Sequence, residues 1–275
     1  MNEKTGIAAT TEELVLPEIE KYLSRKTFPE IELPKIFNRD DRLVIFDIGA
    51  CEGEDSIRYA RLFPNSRIFT FEPLPENQSL VQKNFLRYGI QNASLEAYAL
   101  CDRNGESDFF VSSCKPPHLW EGEEWNYGNK SSSLLKPEPN ASVDWLEFKK
   151  KITVRCRKMV SFCDENQIKQ INFIHLDVQG AELLVLKGAS NLLCKIDCIW
   201  MEVGEKPEYR GQALRAEVDK YMQENGFCLV HFQTDGQWGD QFWVNPRNPK
   251  VQWILFKKRI RDAAKKIRKF LSLRK

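Results

Sequence analysis

Short apolar runs alternate with helix-forming segments from residue 43 onwards, and this alternation most constrains the fold. Residues 43–49 (LVIFDIG) form a continuous apolar run that ends in glycine, and similar runs cover 67–72, 171–177 and 198–203. Continuous apolar runs of this length are typical of strands buried on both faces of a parallel sheet. The intervening segments carry apolar residues at helical spacing, which predicts crossover helices between parallel strands. The pattern therefore predicts an α/β fold.

The last two apolar runs, 227–233 and 241–245, differ because only seven residues with two glycines lie between them. No crossover helix fits in that length, so we expect an antiparallel hairpin. Residues 95–100 and 152–156 also predict strands, and an Asn-Gly turn favours pairing of 95–100 with 107–112. We therefore predict a doubly wound, Rossmann-like, seven-stranded sheet with a terminal antiparallel hairpin.

The same pattern divides the chain into segments. We predict an N-terminal helical extension over 1–42, a main domain over 43–249 and a basic amphipathic C-terminal helix over 250–275. Residues 113–150 interrupt the periodicity with prolines, glycines and tryptophans. A long loop of this kind inside a domain is usually functional, so we predict a lid-like insertion there.

The C-terminal segment separates the charge of the chain into two parts. Residues 257–275 hold ten Lys or Arg and one Asp, whereas the rest of the chain carries a net negative charge. Apolar residues lie at 256, 260, 263, 264, 267, 270 and 271, which is helical spacing. This helix could dock on the acidic body or lie on an anionic membrane surface. Nucleic acid is a less expected partner because no recognition module accompanies the basic run.

Composition excludes several classes of protein. The sequence contains no run of 18 apolar residues, so it predicts no transmembrane helix. Its N-terminus lacks the basic and apolar regions of a secretory signal. The eight cysteines form no CxxC pair and only three histidines accompany them, so we expect no zinc site. We expect reduced thiols and a cytoplasmic protein, peripheral to the membrane inner face if the basic helix binds there.

A glycine bend follows the first predicted strand. In the segment DIGACEG (47–53), glycines allow tight backbone and close approach of a ligand, and the next helix presents free N–H groups to an anion. The G-x-x-x-G spacing differs from the dinucleotide fingerprint G-x-G-x-x-G. We expect cofactor contacts from this bend and the start of the helix, at Asp47, Gly49, Ala50, Cys51, Gly53 and Ser56.

An acidic residue ends the second predicted strand. Glu72 lies about 20 residues after the bend, where a carboxylate can accept both hydroxyls of a ribose. Pro73 ends that strand, and Leu100 and Asp102 at the end of the third strand are expected to lie near a base. A nucleoside that carries a carboxylate but no pyrophosphate fits these features, and S-adenosylmethionine meets that description.

Two more acids, Asp177 and Glu202, end neighbouring strands. Both should point into one crevice beside the glycine bend, because ligands bind at the carboxyl ends of parallel strands. We predict that they act in catalysis, together with His175 on the same strand as Asp177. Aromatic residues of the lid (Trp120, Trp125) and the hairpin (Trp238, Trp243) could form a platform for an acceptor. The predicted substrate contacts are Ser132, Ser133, Gln179, Glu182 and Trp243.

The segments DIGACEGEDS, FEPLPEN, SSSLL, INFIHLDVQGAELLVLKGA and IWMEV, in this order, resemble the FkbM family of S-adenosylmethionine-dependent methyltransferases. The resemblance covers about residues 43–245, and the string around 171–189 is its most specific part. It implies a class I methyltransferase fold and O-methylation, often of sugar or secondary-metabolite hydroxyls. Two residues depart from the family pattern: Cys51 stands where Asn is typical, and His175 stands where Lys is common.

The expected arrangement places the methionine end of the cofactor across Gly49–Gly53 and its methyl group opposite Asp177. Asp177 or His175 would then serve as general base. A divalent cation held by Asp177 and Glu202 is possible but not favoured, since hard cations take carboxylate oxygens. The acceptor is expected to be a carbohydrate or another hydroxyl-bearing molecule. Two other functions stay open: a nicotinamide-dependent oxidoreductase, and a non-catalytic membrane-surface binding module on an α/β scaffold.

Overall fold

Strands and helices alternate in this computed structural model, which describes residues 18–114, 127–139, 146–258, 260 and 263. The strands are β1 (Val44–Ile48), β2 (Arg67–Phe71), β3 (Ala93–Glu96), β4 (Ala99–Leu100), β5 (Gly105–Ser113), β6 (Glu147–Arg157), β7 (Ile171–Leu176), β8 (Ile196–Gly204), β9 (Cys228–Thr234) and β10 (Trp238–Val244). The α-helices are α1 (Glu18–Ser24), α2 (Phe28–Glu32), α3 (Glu54–Leu62), α4 (Pro75–Arg87), α5 (Met159–Glu165), α6 (Glu182–Ala189) and α7 (Arg215–Glu224). Residues 252–258 are also helical. Short 3-10 helices cover Leu33–Lys35, Tyr127–Ser131, Ser190–Lys195 and Pro249–Val251.

Seven of these strands form one sheet in the order β3-β2-β1-β7-β8-β10-β9. Strand β1 pairs in parallel with β2 on one side and β7 on the other, so the chain order reverses beside β1. Strand β10 pairs antiparallel with both β8 and β9. The predicted doubly wound, seven-stranded sheet with a terminal antiparallel hairpin is therefore confirmed. Its switch point between β1 and β7 is where a ligand is expected to bind.

The predicted strand over 95–100 is wrong in one respect, because the chain divides there between two sheets. The Tyr98 N–H donates to the Glu96 carbonyl at 2.9 Å, which closes a tight turn between β3 and β4. Strands β4, β5 and β6 form a second sheet in the order β4-β6-β5. Strand β5 pairs antiparallel with β6, and not with 95–100 as predicted. The predicted strand over 152–156 belongs to this second sheet.

Alternate residues of β1 face opposite sides of the sheet, because successive side chains of a strand point in opposite directions. Phe46 packs on one face in a core that includes Phe162 of α5, whereas Ile45 packs on the other face with Tyr59 of α3. The ring centroids of Phe46 and Phe162 lie 5.6 Å apart in an edge-to-face arrangement. Helices on both faces thus bury the central strands completely.

The predicted N-terminal extension (1–42) and C-terminal helix (250–275) lie partly outside the described residues. Within the described part, Arg58 of α3 is almost fully buried and donates to Glu30 and to the Arg25 carbonyl, which ties α1 and α2 to the domain. Ile254 and Leu255 of the C-terminal helical residues are buried against the sheet. Within the described ranges, no helix has both the length and the apolarity required to cross a bilayer.

Candidate active site

The glycine bend brings together the ends of β1, β2 and β7. Gly49 has a φ of +87°, and a Cβ atom there would lie 1.7 Å from the Asp177 carbonyl oxygen. The N–H groups of Gly49 and Ala50 both donate to the Phe71 carbonyl, at 3.0 and 3.1 Å. Only glycine allows β1 and β7 to approach so closely at this conformation. The bend therefore opens at the switch point of the sheet.

Glu72 shapes the bend from the neighbouring strand. One carboxylate oxygen accepts the Cys51 N–H at 2.8 Å, and the other accepts the Leu74 N–H at 2.8 Å. Burial raises the pKa of Glu72 to about 8, although these backbone N–H groups oppose the rise. The carboxylate can still accept further hydrogen bonds, because each oxygen has two lone pairs. Glu72 is thus suited to receive the hydroxyls of a ligand that lies against the bend.

A first cavity of about 510 Å³ lies in front of the bend. This volume includes the opening of the cavity to solvent. Five of the predicted cofactor residues line it: Gly49, Cys51, Glu72, Pro73 and Leu100. Its other walls are partly apolar, formed by Phe71, Ala99, Phe109 and Leu134 among others. The first cavity thus combines an acidic group beside the bend with an apolar wall.

The other predicted cofactor residues do not line the first cavity. Asp47 accepts the Ser56 hydroxyl at 2.6 Å, and both side chains are buried between β1 and α3. Gly53 has a φ of +79° and lies against Val81 and Phe85 of α4. Asp102 forms an exposed ion pair with Arg103 at 3.1 Å. Direct contact with a cofactor is therefore not supported for Asp47, Ala50, Gly53, Ser56 and Asp102.

Two acids and one amide form a cluster near the carboxyl ends of β7 and β8. The Gln179 side-chain N–H donates to Asp177 Oδ1 at 2.7 Å and to Glu202 Oε2 at 2.9 Å. Burial raises the pKa of Asp177, and the hydrogen bond from Gln179 partly opposes that rise. Burial also raises the pKa of Glu202, with the charge of Asp177 as a further cause. The structure thus brings Asp177, Glu202 and Gln179 together, as their positions at neighbouring strand ends suggested.

The backbone after Asp177 is held in an unusual conformation. Gln179 has a φ of +53° and Gly180 a φ of +91°. Glu182 Oε1 accepts the N–H groups of Val178 and Gly180, both at 3.1 Å, and burial raises the pKa of Glu182 to about 7. Glu182 lines neither the first cavity nor the second cavity described below. Its role in the described structure is to fix this turn.

Two serines from the predicted lid reach the same turn. Ser133 is fully buried, and its hydroxyl donates to the Gln179 carbonyl at 2.8 Å. Ser132 lines the first cavity and accepts the Ser112 N–H at 3.0 Å. Residues 115–126 and 140–145 of the lid, including Trp120 and Trp125, lie outside the described residues. The described part of the lid therefore holds the acidic cluster and covers the first cavity.

His175 lies beneath the cluster. Its Nδ1 atom is 2.8 Å from the Tyr59 hydroxyl and 3.9 Å from Asp55 Oδ2, and the residue lines neither cavity. Burial lowers the pKa of His175, but the carboxylates of Asp55 and Asp47 outweigh burial and raise it overall. A direct catalytic role is therefore not supported by its position.

Trp243, a predicted acceptor contact, lines neither cavity. Trp243 is fully buried in the core, where its indole N–H donates to Gln241 Oε1 at 2.8 Å. The alternation of side chains along β10 turns Trp243 towards the core, away from both cavities. Trp238, at the start of the same strand, lines the second cavity.

Sequence reasoning missed three polar residues that line the first cavity: Asn77, Asn129 and Lys130. The Lys130 ammonium donates to Glu54 Oε1 at 2.7 Å and lies 3.6 Å from the Cys51 sulfur. The Asn129 amide donates to Asn77 Oδ1 at 2.7 Å. Asn77 lies in the first turn of α4, whereas Asn129 and Lys130 reach the cavity from the lid, and no local pattern indicates how the lid crosses the bend. Together they place a positive charge beside the glycine bend.

A second cavity of about 800 Å³ adjoins the first. Gln179 lines both, and the neighbouring residues Ser131 and Ser132 line the second and the first respectively. The second cavity also contains Glu208 and the rings of Phe148, Tyr209 and Trp238. Tyr209 donates its hydroxyl proton to the Ser131 carbonyl at 2.7 Å, which joins the two sides. Gln179 of the acidic cluster therefore lies between the two cavities, and Asp177 lines the first.

Within the described residues, no group of three or more His, Cys, Asp or Glu side chains is arranged to hold a metal ion. The Gln179 N–H group lies between Asp177 and Glu202 and hydrogen-bonds both. These two acids are thus joined by a hydrogen-bond donor, which a cation would have to displace.

Comparison with known proteins places this site in a family. Structural neighbours include precorrin-6y C5,15-methyltransferase from Geobacter metallireducens (TM-score 0.40, 12% identity, 80% of this chain and 90% of that chain). Another is M. capricolum TrmK in complex with S-adenosyl-homocysteine (TM-score 0.43, 10% identity, 80% and 69%).

The curated relatives include the 2-O-methyltransferase NoeI of Sinorhizobium fredii, which is 33% identical over 178 residues, covering 64% of this chain and 70% of NoeI. Methyltransferase 1 of Beauveria bassiana is 24% identical over 151 residues, covering 54% of this chain and 59% of that protein. Residues 47–229 match the family model described as Methyltransferase FkbM domain. That match spans more than half of the chain and contains the bend, Glu72 and the acidic cluster. The chain therefore belongs to the FkbM family of S-adenosylmethionine-dependent methyltransferases.

Proposed function

We propose that this methyltransferase acts on a hydroxyl oxygen of a sugar or glycan. The observation that carries the proposal is the acidic cluster of Asp177, Gln179 and Glu202, in which Asp177 lines the first cavity and Gln179 lines both cavities. A carboxylate between cofactor and acceptor can receive the proton that a hydroxyl loses on methylation. The 33% identical relative NoeI, a 2-O-methyltransferase, supports transfer to oxygen.

The residues of the first cavity fit S-adenosylmethionine. Buried Glu72 is an acceptor for ribose hydroxyls, and the Lys130 ammonium beside the bend is a partner for the methionine carboxylate. The apolar side chains of Phe71 and Leu100 suit the flat faces of a base. The cofactor supplies an electrophilic methyl group on a positively charged sulfur. These contacts are part of the proposal.

Asp177 is the proposed general base, and Gln179 and Glu202 are the residues that hold it. Gln179 orients the Asp177 carboxylate through the 2.7 Å hydrogen bond, and the Ser133 hydroxyl anchors the Gln179 backbone. Holding the acceptor oxygen in line with the methyl group can lower the barrier by up to about 7–11 kcal/mol. General-base assistance adds about 10²–10⁴-fold. Positioning is therefore the larger contribution.

The test is the variant Asp177→Asn, with exposed Asp164→Asn on α5 as the matched control. We expect Asp177→Asn to lower kcat by about 10²–10⁴-fold, because asparagine cannot accept the proton. The Kd for S-adenosylmethionine, measured by calorimetry, should change little, because asparagine retains the acceptor oxygen for Gln179. Unchanged turnover would remove Asp177 from the mechanism. Loss of activity on exhaustive chelation would instead establish a required cation.

We also propose that the C-terminal helix lies on an anionic membrane surface. Its described part docks on the domain through Ile254 and Leu255, whereas Trp253, Phe256 and Ile260 are 47%, 62% and 54% exposed. Apolar side chains beside many Lys and Arg residues are typical of interfacial helices. Each basic residue near an anionic surface adds up to about 1 kcal/mol. All eight cysteines are free thiols, which is consistent with the proposed cytoplasmic location.

Co-sedimentation of the full chain with vesicles tests this location. We expect binding to phosphatidylglycerol-containing vesicles, weaker binding to pure phosphatidylcholine, and loss of binding as salt screens the charges. The triple variant Trp253→Ser, Phe256→Ser, Ile260→Ser should pellet less. Leu86→Ser, which alters an apolar residue that is 85% exposed on α4, is the control. Equal pelleting of the triple variant and the native chain would refute the membrane proposal.

A further inference from the structure

The second cavity is lined by aromatic and acidic side chains that methyl transfer to a hydroxyl does not by itself require. It adjoins the acidic cluster at Gln179, which lines this cavity and hydrogen-bonds Asp177. Its volume of about 800 Å³, including its opening to solvent, is larger than that of the first cavity. An acceptor that enters the second cavity from solvent therefore meets the cluster at Gln179.

Aromatic rings form one wall of the second cavity. The rings of Tyr209 and Trp238 have centroids 6.5 Å apart at 61°, and those of Phe148 and Tyr209 lie 6.1 Å apart at 87°. Tyr209 is buried and fixed by its hydrogen bond to the Ser131 carbonyl, whereas Trp238 and Phe148 are half-buried and line the cavity. Aromatic side chains that are held rigidly offer apolar area at low entropic cost. The C–H face of a pyranose ring is a suitable partner for such a wall.

The described charged groups that line this cavity are all acidic. Glu208 is 5% exposed and accepts the Gln237 side-chain N–H at 2.8 Å. Glu138 also lines the cavity, and its carboxylate lies 3.9 Å from the guanidinium of Arg210, whose side chain is half-exposed. Among the described lining residues there is no Lys, Arg or His. The carboxylates of Glu208 and Glu138 repel an anion that enters this cavity.

We infer that the second cavity binds a neutral or amino sugar ring of the acceptor and rejects sugars that carry a carboxylate or phosphate. The ring face packs on Trp238, and Glu208 accepts sugar hydroxyl or ammonium protons. This inference rests on the proposed function, because it names the acceptor class of the same site. It differs from that function in predicting which sugars fail and which residues reject them.

The experiment uses methyl glycosides that share one ring and differ in one group: hexose, 2-amino sugar, uronic acid and 6-phosphate, each in gluco, galacto and manno forms. The full-length enzyme and radiolabelled S-adenosylmethionine supply the readout. We expect methylation of neutral or amino members, with kcat/KM at least about tenfold lower for the matching uronide and phosphate. Trp238→Ala should raise the sugar KM by about tenfold and leave the Kd for S-adenosylmethionine unchanged.

Glu208→Gln removes the negative charge and keeps the shape of the side chain. It should reduce the ratio of kcat/KM between hexose and uronide, rather than only lower kcat/KM for both. Leu86→Ala and Glu224→Gln, on exposed positions of α4 and α7, are the matched controls. If sugars are methylated but both cavity variants keep the native KM and the native discrimination, the inference fails and the proposed function stands. If no glycoside reacts while hydroxyls of another class do, the proposed function itself fails.

Discussion

The Gln179 side chain should set the pH dependence of methyl transfer. Its amide donates to Asp177 Oδ1 at 2.7 Å and to Glu202 Oε2 at 2.9 Å, and so joins the two acids. A hydrogen bond to a carboxylate favours its charged form, so this bond lowers the pKa of Asp177 against the larger effect of burial. Removing the amide in Gln179→Ala should therefore raise the pKa of Asp177 further.

The size of the change follows from the geometry. A 2.7 Å hydrogen bond to a carboxylate is of the charge-assisted kind, with a net contribution of about 1.5–3 kcal/mol. Since one pH unit corresponds to about 1.4 kcal/mol, the pKa should rise by about 1–2 units. A general base acts only when deprotonated, so activity is lost as the pH falls through its pKa. The acidic limb of kcat/KM should thus move to higher pH by about 1–2 units.

The assay is kcat/KM for one accepted acceptor from pH 5 to pH 10, with the Kd for S-adenosylmethionine measured in parallel. Alanine, like glutamine, is strained at the φ of +53°, so Gln179→Ala isolates the side chain. Exposed Gln223→Ala on α7 is the control. An acidic limb that stays in place, or moves to lower pH, would refute the assignment of Asp177 as the base that Gln179 tunes.

Three further outcomes follow from the same contacts. Gly49→Ala should abolish folding or cost several kcal/mol of stability, because its Cβ would lie 1.7 Å from the Asp177 carbonyl; circular dichroism and thermal unfolding report this. Lys130→Met should leave the Glu54 carboxylate, 7% exposed, without its ion-pair partner and weaken S-adenosylmethionine binding in calorimetry. The raised pKa of Glu72, about 8, means that the folded state binds the extra proton. Its contribution to stability is full below about pH 4.5 and falls by up to about 1.4 kcal/mol per unit as the pH rises to 8. Urea unfolding at several pH values should therefore show that the free energy of unfolding falls less steeply with rising pH in Glu72→Gln than in the native chain.

The sheet could be predicted because its strands are locally recognisable. Strands such as β1 and β7 are buried on both faces, which forces a continuous apolar run into the sequence. Residues 95–100 show where this reasoning stops, because β3 and β4 share one apolar run but belong to different sheets. Only the turn at Tyr98 separates them, and a local pattern does not show which partner a strand will find.

The site was predictable where a side chain lies at a strand end and not where it arrives from a distant loop. Asp177 directly follows β7, and Glu202 lies level with it near the end of the adjacent strand β8, so sheet topology alone places them together. Lys130 reaches the bend only because the lid crosses it, which no periodicity encodes. His175 lies two residues before Asp177 and on the same face of the strand, but it is farther from the strand end and its side chain contacts Tyr59. Strand alternation indicates the face of a residue and not its depth.

The string D-V-Q-G-A-E over 177–182 acts as one structural unit. Asp177 ends β7 and faces the first cavity, and the chain must then turn sharply enough to bring the Gln179 amide back between Asp177 and Glu202. That turn requires a positive φ at both Gln179 and Gly180, and a Cβ at Gly180 would lie 3.0 Å from the Tyr209 ring. Glu182 offsets the strain by accepting two N–H groups of the turn. Strained backbone persists only where its surroundings hold it. The strain at Gln179 therefore indicates that this segment maintains the position of the Gln179 amide rather than local stability.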